Sequence, residues 1–365
     1  MSRIISIGTA VPKHRTEQVT ILEFMHAAYG NDVASRKLNV LFNNSGISTR
    51  YSAIPDFNKN KNQHVFFNGK PSTATVENRL NVFKEQAVPL VLEAIQDSFK
   101  KLNTDINTFG VTHLITVTCT GLSAPGIGPE LIEILNLPKD VFYTSVNFLG
   151  CNAAFHALKI ADMIAKTDEH AKVLIVCVEL CTLHFQPKNN HDNLLSNTIF
   201  GDGSAAMIIT SDSYANQQDY AGLTINGFYS LLLNKGKDLM GWNITPVNFE
   251  MILDSKIPDF IGDEINEIVL FASKKFNIEP KSITNWAIHP GGKKILDTIK
   301  NKLQLYDEDL KPSYKILDEY GNMSSPTILF VLNDLMQKKH NKDETVFSIG
   351  FGPGLSIETA LFSYE

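Results

Sequence analysis

The chain has 365 residues, a formal net charge of −6 and a pI near 5.9. Hydrophobic residues make up 43% and charged residues 20%, the balance of a globular chain long enough for two fused core units. An acidic balance argues against nucleic acid or an anionic membrane surface as the main partner, though not against an anionic ligand held by a local basic patch.

No run of about 18 apolar residues occurs, so no membrane insertion is expected. The N-terminal apolar run is too short for a signal peptide, and the chain reads as cytoplasmic. Its four cysteines, Cys119, Cys151, Cys177 and Cys181, are too few for a disulfide scaffold and lack the CxxC pairs of a structural zinc site. They read as reduced thiols, and no metal is expected.

In chain order, Ser52 to Asn68 is the loosest stretch, rich in Asn and Lys. Thr75 to Leu102 carries Phe83, Ala87, Leu90 and Ala94 on one helical face. A strand is predicted at Leu114–Thr118. Val141–Asn147 then leads into a helix starting at Cys151, with Ala154, Leu158, Ala161 and Ala165 on its buried face. Further strands are predicted at Val173–Val178, Ala206–Thr210, Trp286–Ile288, Val346–Ile349 and Ser356–Phe362. Gln186 to Asn193 reads as a surface loop. Alternating strands and helices predict an α/β fold with layered architecture. A weak internal echo adds to this: Tyr314–Leu317 leads into a helix starting near Ser325, as Val141–Asn147 leads into Cys151. Two such halves facing each other would bring both helix starts to one central site.

Three residues carry the candidate chemistry. Cys151 follows a strand and a glycine and precedes small residues that open a helix. Unpaired N–H groups and the positive dipole end at such a start favour a thiolate. A buried structural cysteine is the commoner fate of a lone thiol. His289 ends a hydrophobic strand before Pro-Gly-Gly, where glycines permit close backbone approach. The alternative is a core histidine bonded to a carbonyl. Asn322 lies in the turn before a helix whose N-cap is expected at Ser325, with Pro326 first in the helix. Its amide could face a substrate oxygen or serve only the turn. Together they have the parts that carbon–carbon bond formation from thioesters needs. A thiolate holds one acyl group, and neutral donors stabilise the enolate left by decarboxylation.

The sequence resembles the type III polyketide synthases, the chalcone-synthase-like branch of the thiolase superfamily, of bacterial type. The matching motifs are Gly150-Cys-Asn-Ala153, Trp286-Ala-Ile-His-Pro-Gly-Gly292, Tyr320-Gly-Asn-Met-Ser-Ser325, Phe200-Gly-Asp-Gly203 and Gly350-Phe-Gly-Pro-Gly354. They run in order over nearly the whole chain. The resemblance implies a layered α-β-α-β-α fold with two pseudo-repeated halves. Residues 1–220 would carry the nucleophile and 221–365 the histidine and asparagine. It implies iterative condensation of malonyl-CoA onto an acyl starter held on Cys151, then cyclisation to a pyrone, resorcinol or similar product. No cofactor is implied beyond the CoA thioesters, and a homodimer is expected.

By the same resemblance, His289 and Asn322 hold the thioester carbonyl, and His289 helps keep Cys151 ionised. Phe200 and Phe249 match gate aromatics. Cys119, Glu179 and Ser324 match a network that biases cyclisation. Cys181 and His184 match cavity-lining positions, with His184 an unusual choice. Met240 or Gly241 should line the extension pocket, and Gly352 and Pro353 belong to the turn that shapes the cavity wall. Ser123-Ala124-Pro125 matches a loop that reaches across a dimer interface, with Ala124 widening the cavity beside it. The basic cluster that plant relatives use for CoA is reduced to Lys37, with Val40 and Asn44 at its other positions. Arg36, Arg50, Gly291, Lys293 and Lys294 are further CoA candidates.

Two starter classes fit: a fatty acyl group, suggested by Ala124, or malonyl priming, suggested by Cys119. The nearest rival is an initiating-type β-ketoacyl carrier-protein synthase, which would show a His-Gln-Ala-Asn-like motif where this chain has His289-Pro-Gly-Gly. A papain-like hydrolase lacks its nucleophile signature here. A catalytically dead scaffold would not need all three residues.

Overall fold

Val- and Ile-rich runs become strands whose alternate side chains face opposite layers of helices. The computed structural model describes all residues except 31, 59–63, 68–73, 247 and 343. Its strands in the first half are β1 (Ser2–Ala10), β2 (His14–Glu17), β3 (Thr49–Ser52), β4 (His113–Thr118), β5 (Phe142–Asn147), β6 (Lys172–Leu180) and β7 (Asp202–Ser211). Those in the second are β8 (Leu223–Leu232), β9 (Met240–Ile244), β10 (Phe249–Leu253), β11 (Asn285–Ile288), β12 (Thr345–Gly352) and β13 (Ser356–Tyr364). A nine-stranded sheet runs in the order β11-β12-β13-β8-β1-β7-β6-β4-β5, and β2–β3 and β9–β10 pair outside it. Every strand predicted from the sequence is present.

The pairing pattern repeats. β1 runs antiparallel to β7, β7 antiparallel to β6, and β6 parallel to β4. β8 runs antiparallel to β13, β13 antiparallel to β12, and β12 parallel to β11. The first half alone adds β5, parallel to β4. Its expected counterpart, Tyr314–Leu317, lies inside the helix Lys311–Tyr320. Pro312 suits that helix's first turn, and its buried residues Ser313, Ile316 and Leu317 follow a helical spacing.

Burial shows the layers. On β6, Leu174, Val176 and Val178 pack with the helix Val76–Lys101, while Val173, Ile175 and Cys177 pack with the helices Ala153–Thr167 and Thr327–Met336. On β12, Val346 joins that central layer, and Phe347, Ile349 and Phe351 face the helices Ile257–Phe276 and Lys293–Leu303. This is the layered α-β-α-β-α order. Burying each such Val, Ile or Leu stabilises by about 1.5–3 kcal/mol relative to exposure. The central helix Ala153–Thr167 turns Ala153, Ala157, Ala161 and Ala165 to the core, small side chains that let strands approach from both sides.

The helix predicted at Thr75 to Leu102 spans Val76–Lys101, with Thr75 as cap and Asn78 completing a capping box. The loop expected at Gln186 to Asn193 is shorter than that, because Asn190 caps a helix His191–Ile199, and Gln186 and Asn193 are both buried. Part of Ser52 to Asn68, residues 59–63 and 68, lies outside the described residues. The described part is tied down by buried Asp56, whose carboxylate accepts from the N–H groups of Val65, Phe66 and Phe67. Among the described residues, no helix is long and apolar enough to cross a membrane.

Candidate active site

The chain leaving β5 is pinched before Cys151. Phe148 and Gly150 take positive φ values of 66° and 71°. A Cβ at Gly150 would lie 2.3 Å from Cδ of Pro353, so only glycine fits this turn. Cys151 itself sits in a 3-10 turn, Gly150–Asn152, and the α-helix begins at Ala153, two residues later than expected. The thiolate expected from a helix start is opposed by burial, which pushes the Cys151 thiol up to about 11. Hydrogen bonds from Ser324 and Asn322 to its sulfur pull the other way.

His289 extends β11 by one residue, its N–H donating to the Ile349 carbonyl at 2.8 Å. The ring is buried, and neither nitrogen has a partner among the described residues. Burial lowers its pKa to about 3, so the free ring is neutral and one nitrogen carries a hydrogen to donate. Asn322 is held in orientation: its side-chain oxygen accepts from the Ser324 N–H at 2.8 Å, and its amide donates to the Gly291 carbonyl at 3.3 Å. The helix after it starts at Thr327 with Pro326 as cap, one residue later than expected. The Ser325 hydroxyl is committed elsewhere.

That commitment is to Glu179. One oxygen of this fully buried carboxylate accepts from Ser325 at 2.6 Å, and the other from the Cys119 and Thr120 N–H groups and the Thr120 hydroxyl. Burial raises its pKa, and these hydrogen bonds oppose the shift. The network expected for Cys119, Glu179 and Ser324 is therefore redrawn. Ser325 reaches Glu179, while Ser324, at φ 59°, faces the Cys151 sulfur. Cys119 comes close too, its sulfur accepting from the Gly150 N–H at 3.0 Å.

Cys151, His289 and Asn322 line one cavity that opens to solvent. Cys119, Cys181, His184, Ser324, Met240 and Pro353 line it, and so do Phe200 and Phe249. Gly352 stands behind the wall, packed so closely on Asn152 that a Cβ would lie 2.4 Å from its side-chain oxygen. Ala124 lies on an exposed loop with a cis bond to Pro125 and does not line the cavity.

The CoA candidates divide. Gly291 lines the cavity, its N–H donating to the His289 carbonyl. Lys293 and Lys294 open the helix Lys293–Leu303, exposed and paired with Asp297 and Asp259. Lys293 also packs beside Gly46, just beyond the helix Asp32–Asn43 that carries exposed Lys37. Arg50 lines the same cavity from within the fold. It is buried, donating to the Gln18 side chain and to the Asn197 and Phe200 carbonyls, and burial lowers its pKa to about 9. The sequence reading missed Thr120, Ser325 and Trp242. Thr120 and Ser325 adjoin residues it chose, while Trp242 left no local signal.

Two family models cover the chain. The N-terminal domain of the chalcone and stilbene synthases matches residues 1–213, and their C-terminal domain matches residues 229–364. This chain belongs to the chalcone and stilbene synthases. It is a type III polyketide synthase, an acyltransferase-type enzyme of a family that uses acyl-CoA and malonyl-CoA. A putative chalcone synthase of Bacillus subtilis is 30% identical, the match covering 100% of this chain and 99% of that one. The probable polyketide synthase 1 of Dictyostelium discoideum is 29% identical over 98% of this chain, which spans 11% of that longer protein. The crystal structure of PKS-I from the brown alga Ectocarpus siliculosus superposes with a TM-score of 0.90 at 28% identity, covering 100% of this chain and 98% of that one.

Proposed function

We propose that this cavity runs repeated decarboxylative condensation, with Cys151 as nucleophile and His289 and Asn322 as the donors that stabilise the enolate. The observation that carries the assignment is the buried His289 ring, neutral and without a partner among the described residues, in the same cavity as the thiol and the oriented Asn322 amide. A buried polar ring without a partner costs stability unless a ligand fills the role.

The steps balance without a further reagent. Cys151 gives its proton to His289 and attacks the starter thioester. A new sulfur–carbon bond forms, and CoA leaves as the thiol with that proton. Malonyl-CoA then loses CO₂, the broken bond's electron pair becoming an enolate whose oxygen accepts from His289 and Asn322. The enolate carbon attacks the Cys151 thioester. A carbon–carbon bond forms, the sulfur–carbon bond breaks, and the extended chain, now on CoA, can reload.

Lys37, Lys293 and Lys294 are proposed to meet the CoA phosphates, and no other cofactor enters. The nucleophile half is assigned to residues 1–220 and the donor half to 221–365. Exposed Leu122, Phe142, Phe148 and Leu149 support a homodimer, and the reading keeps the enzyme in the cytoplasm. Phe57 and Phe185 line the cavity, their rings 5.9 Å apart edge to face. The starter is a fatty acyl or a malonyl group, with cyclisation to a pyrone, resorcinol or related product.

The test is mass spectrometry of products from malonyl-CoA and acyl-CoA starters from acetyl to palmitoyl, with a Cys151→Ala protein beside the parent. Starter-dependent polyketides that vanish in the variant support the reading. No product with any CoA thioester, but activity with carrier-protein thioesters, would move the enzyme to the carrier-dependent synthases.

A further inference from the structure

The two halves of the main sheet separate at one end, and a second cleft opens there. β1 pairs with β8 only at Ser2, Arg3 and Ile4, opposite Ile225, Thr224 and Leu223. Between Ile4 and Ser6 its register with β7 also shifts, the mark of a bulge. The cleft at this parting is lined by Ile5, Ile7, Gly222, Met336 and Tyr364, with lysines around them. None of its residues lines the active-site cavity. Tyr364 lies eight residues along β13 from Ser356, at about 3.3 Å each, and Ser356 is the residue that Asn152 holds beside Cys151.

Tyr364 is 8% exposed, and its hydroxyl has no partner among the described residues. Its ring lies flat on His340, centroids 3.7 Å apart and planes 11° apart. His340 is itself fixed, one nitrogen 2.7 Å from the Leu335 carbonyl and the other 3.1 Å from the Glu344 carboxylate. Burial and the nearby Glu344 charge raise the pKa of the phenol, so it keeps a hydrogen to donate. A buried hydroxyl without an acceptor costs stability, and phenylalanine would fill the same space without that cost.

Charge surrounds this hydroxyl. The Lys101 ammonium donates to the Ile7 carbonyl and the Asp97 carboxylate at 2.7 Å each and to the Asn333 side-chain oxygen at 3.1 Å, so all three of its hydrogens are used and only its charge is left to act. Lys338 and Lys342 have side chains 46% and 72% exposed, in open ion pairs with Asp334 and Glu365 that a ligand can displace. Glu365 is the one carboxylate among the lining residues, against three lysines, in a chain whose net charge is −6.

We propose that this cleft is a second ligand site, for a small organic acid with an apolar body. The carboxylate accepts from the Tyr364 hydroxyl in the field of the lysines, and the body covers the wall that includes Ile5, Ile7 and Met336. Inorganic phosphate would answer the charge and leave that wall uncovered. The site stands apart from the polyketide reading, because none of its residues enters that chemistry.

Calorimetric titration of the full chain with sodium hexanoate, and separately with inorganic phosphate, tests this. Tyr364→Phe and a double variant, Lys338→Gln with Lys342→Gln, run beside the parent. Hexanoate should bind the parent, and Tyr364→Phe should weaken it roughly three- to tenfold, the loss of one hydrogen bond. The double variant should weaken it by a similar factor and flatten its dependence on salt. Without ligand, Tyr364→Phe should melt at or above the parent's temperature, and hexanoate should raise the melting temperature of the parent more than that of the variant. Hexanoate that binds all three proteins alike sits in the active-site cavity and refutes the site. Absence of saturable binding refutes it too, as does phosphate bound as tightly as hexanoate. A Tyr364→Phe protein that melts well below the parent would show that the hydroxyl serves the fold, and would also overturn the proposal.

Discussion

Phe200 and Asn322 share a main-chain bridge: the Asn322 N–H donates to the Ile199 carbonyl at 2.9 Å, and the Asn322 carbonyl accepts from the Gly201 N–H at 3.0 Å. The bridge locks Phe200, the proposed gate aromatic, to Asn322, the proposed amide donor, although they come from opposite halves of the chain. Gly321 makes it possible, because at φ 69° a Cβ there would lie 2.7 Å from the Ile199 carbonyl oxygen.

Since the bridge is made by main chain, removing the Asn322 side chain should spare it. Asn322→Ala is expected to lose about 10²–10³-fold in condensation rate, the cost of one oxyanion donor. Its melting temperature in calorimetry should move by only about 2 °C, the shift of a sub-kcal change in a chain of this size. A large drop in melting temperature would instead mark Asn322 as a structural residue.

Thiol reactivity should single out Cys151. Burial and the neighbouring Glu179 charge raise Cys119, Cys177 and Cys181 well above the ordinary thiol range, whereas Ser324 and Asn322 moderate the rise at Cys151. Iodoacetamide followed by peptide mapping should modify Cys151 first. The pH profile then tests His289. In His289→Ala the thiol loses its candidate proton acceptor, so its alkylation rate should climb about tenfold per pH unit from pH 6 to 9. In the parent, proton transfer to His289 makes the two groups titrate as a pair, so the climb should be shallower. Parallel profiles would show that His289 does not take the proton.

Glu179 is predicted to hold the halves together as much as to shape chemistry. Glu179→Ala strands the Cys119 and Thr120 N–H groups and the Thr120 and Ser325 hydroxyls in the core. Denaturant unfolding should show a loss of roughly 3 kcal/mol or more, and Ser325→Ala a loss of roughly 1–3 kcal/mol. Equal losses in the two variants would mean that Ser325 alone carries the network.

Gly150→Ala should misplace the nucleophile. The left-handed conformation costs a side chain about 1–2 kcal/mol, and the contact with Pro353 adds to that. We expect a lower melting temperature together with slower alkylation of Cys151. Alkylation at the parent rate would show that the turn relaxes without moving the thiol.

The catalytic candidates were readable because each sits in a short turn with restrictive residues. Gly150, the Pro-Gly-Gly after His289 and Gly321 are local signals of close approach. The strands were readable from runs of β-branched residues. Four things were not. Arg50 looked like a surface cation, since its burial depends on Gln18 and the Phe200 loop, both remote in sequence. Ser324 and Ser325 exchange roles because of one positive φ, which nothing adjacent demands. Tyr314–Leu317 is too short for its period to tell helix from strand. Trp242 was invisible for the same reason as Arg50: its partners, Phe148 and Phe249, meet it only in the folded chain.

The hairpin outside the main sheet has an evolutionary consequence. The nine strands complete their pairing without β9 and β10. Mutations in that short stretch can therefore remodel the reaction chamber while the layers that fold the protein stay as they are. Lineages of this enzyme could diversify their products by rewriting one appendage, and a designer could exchange it as a cassette.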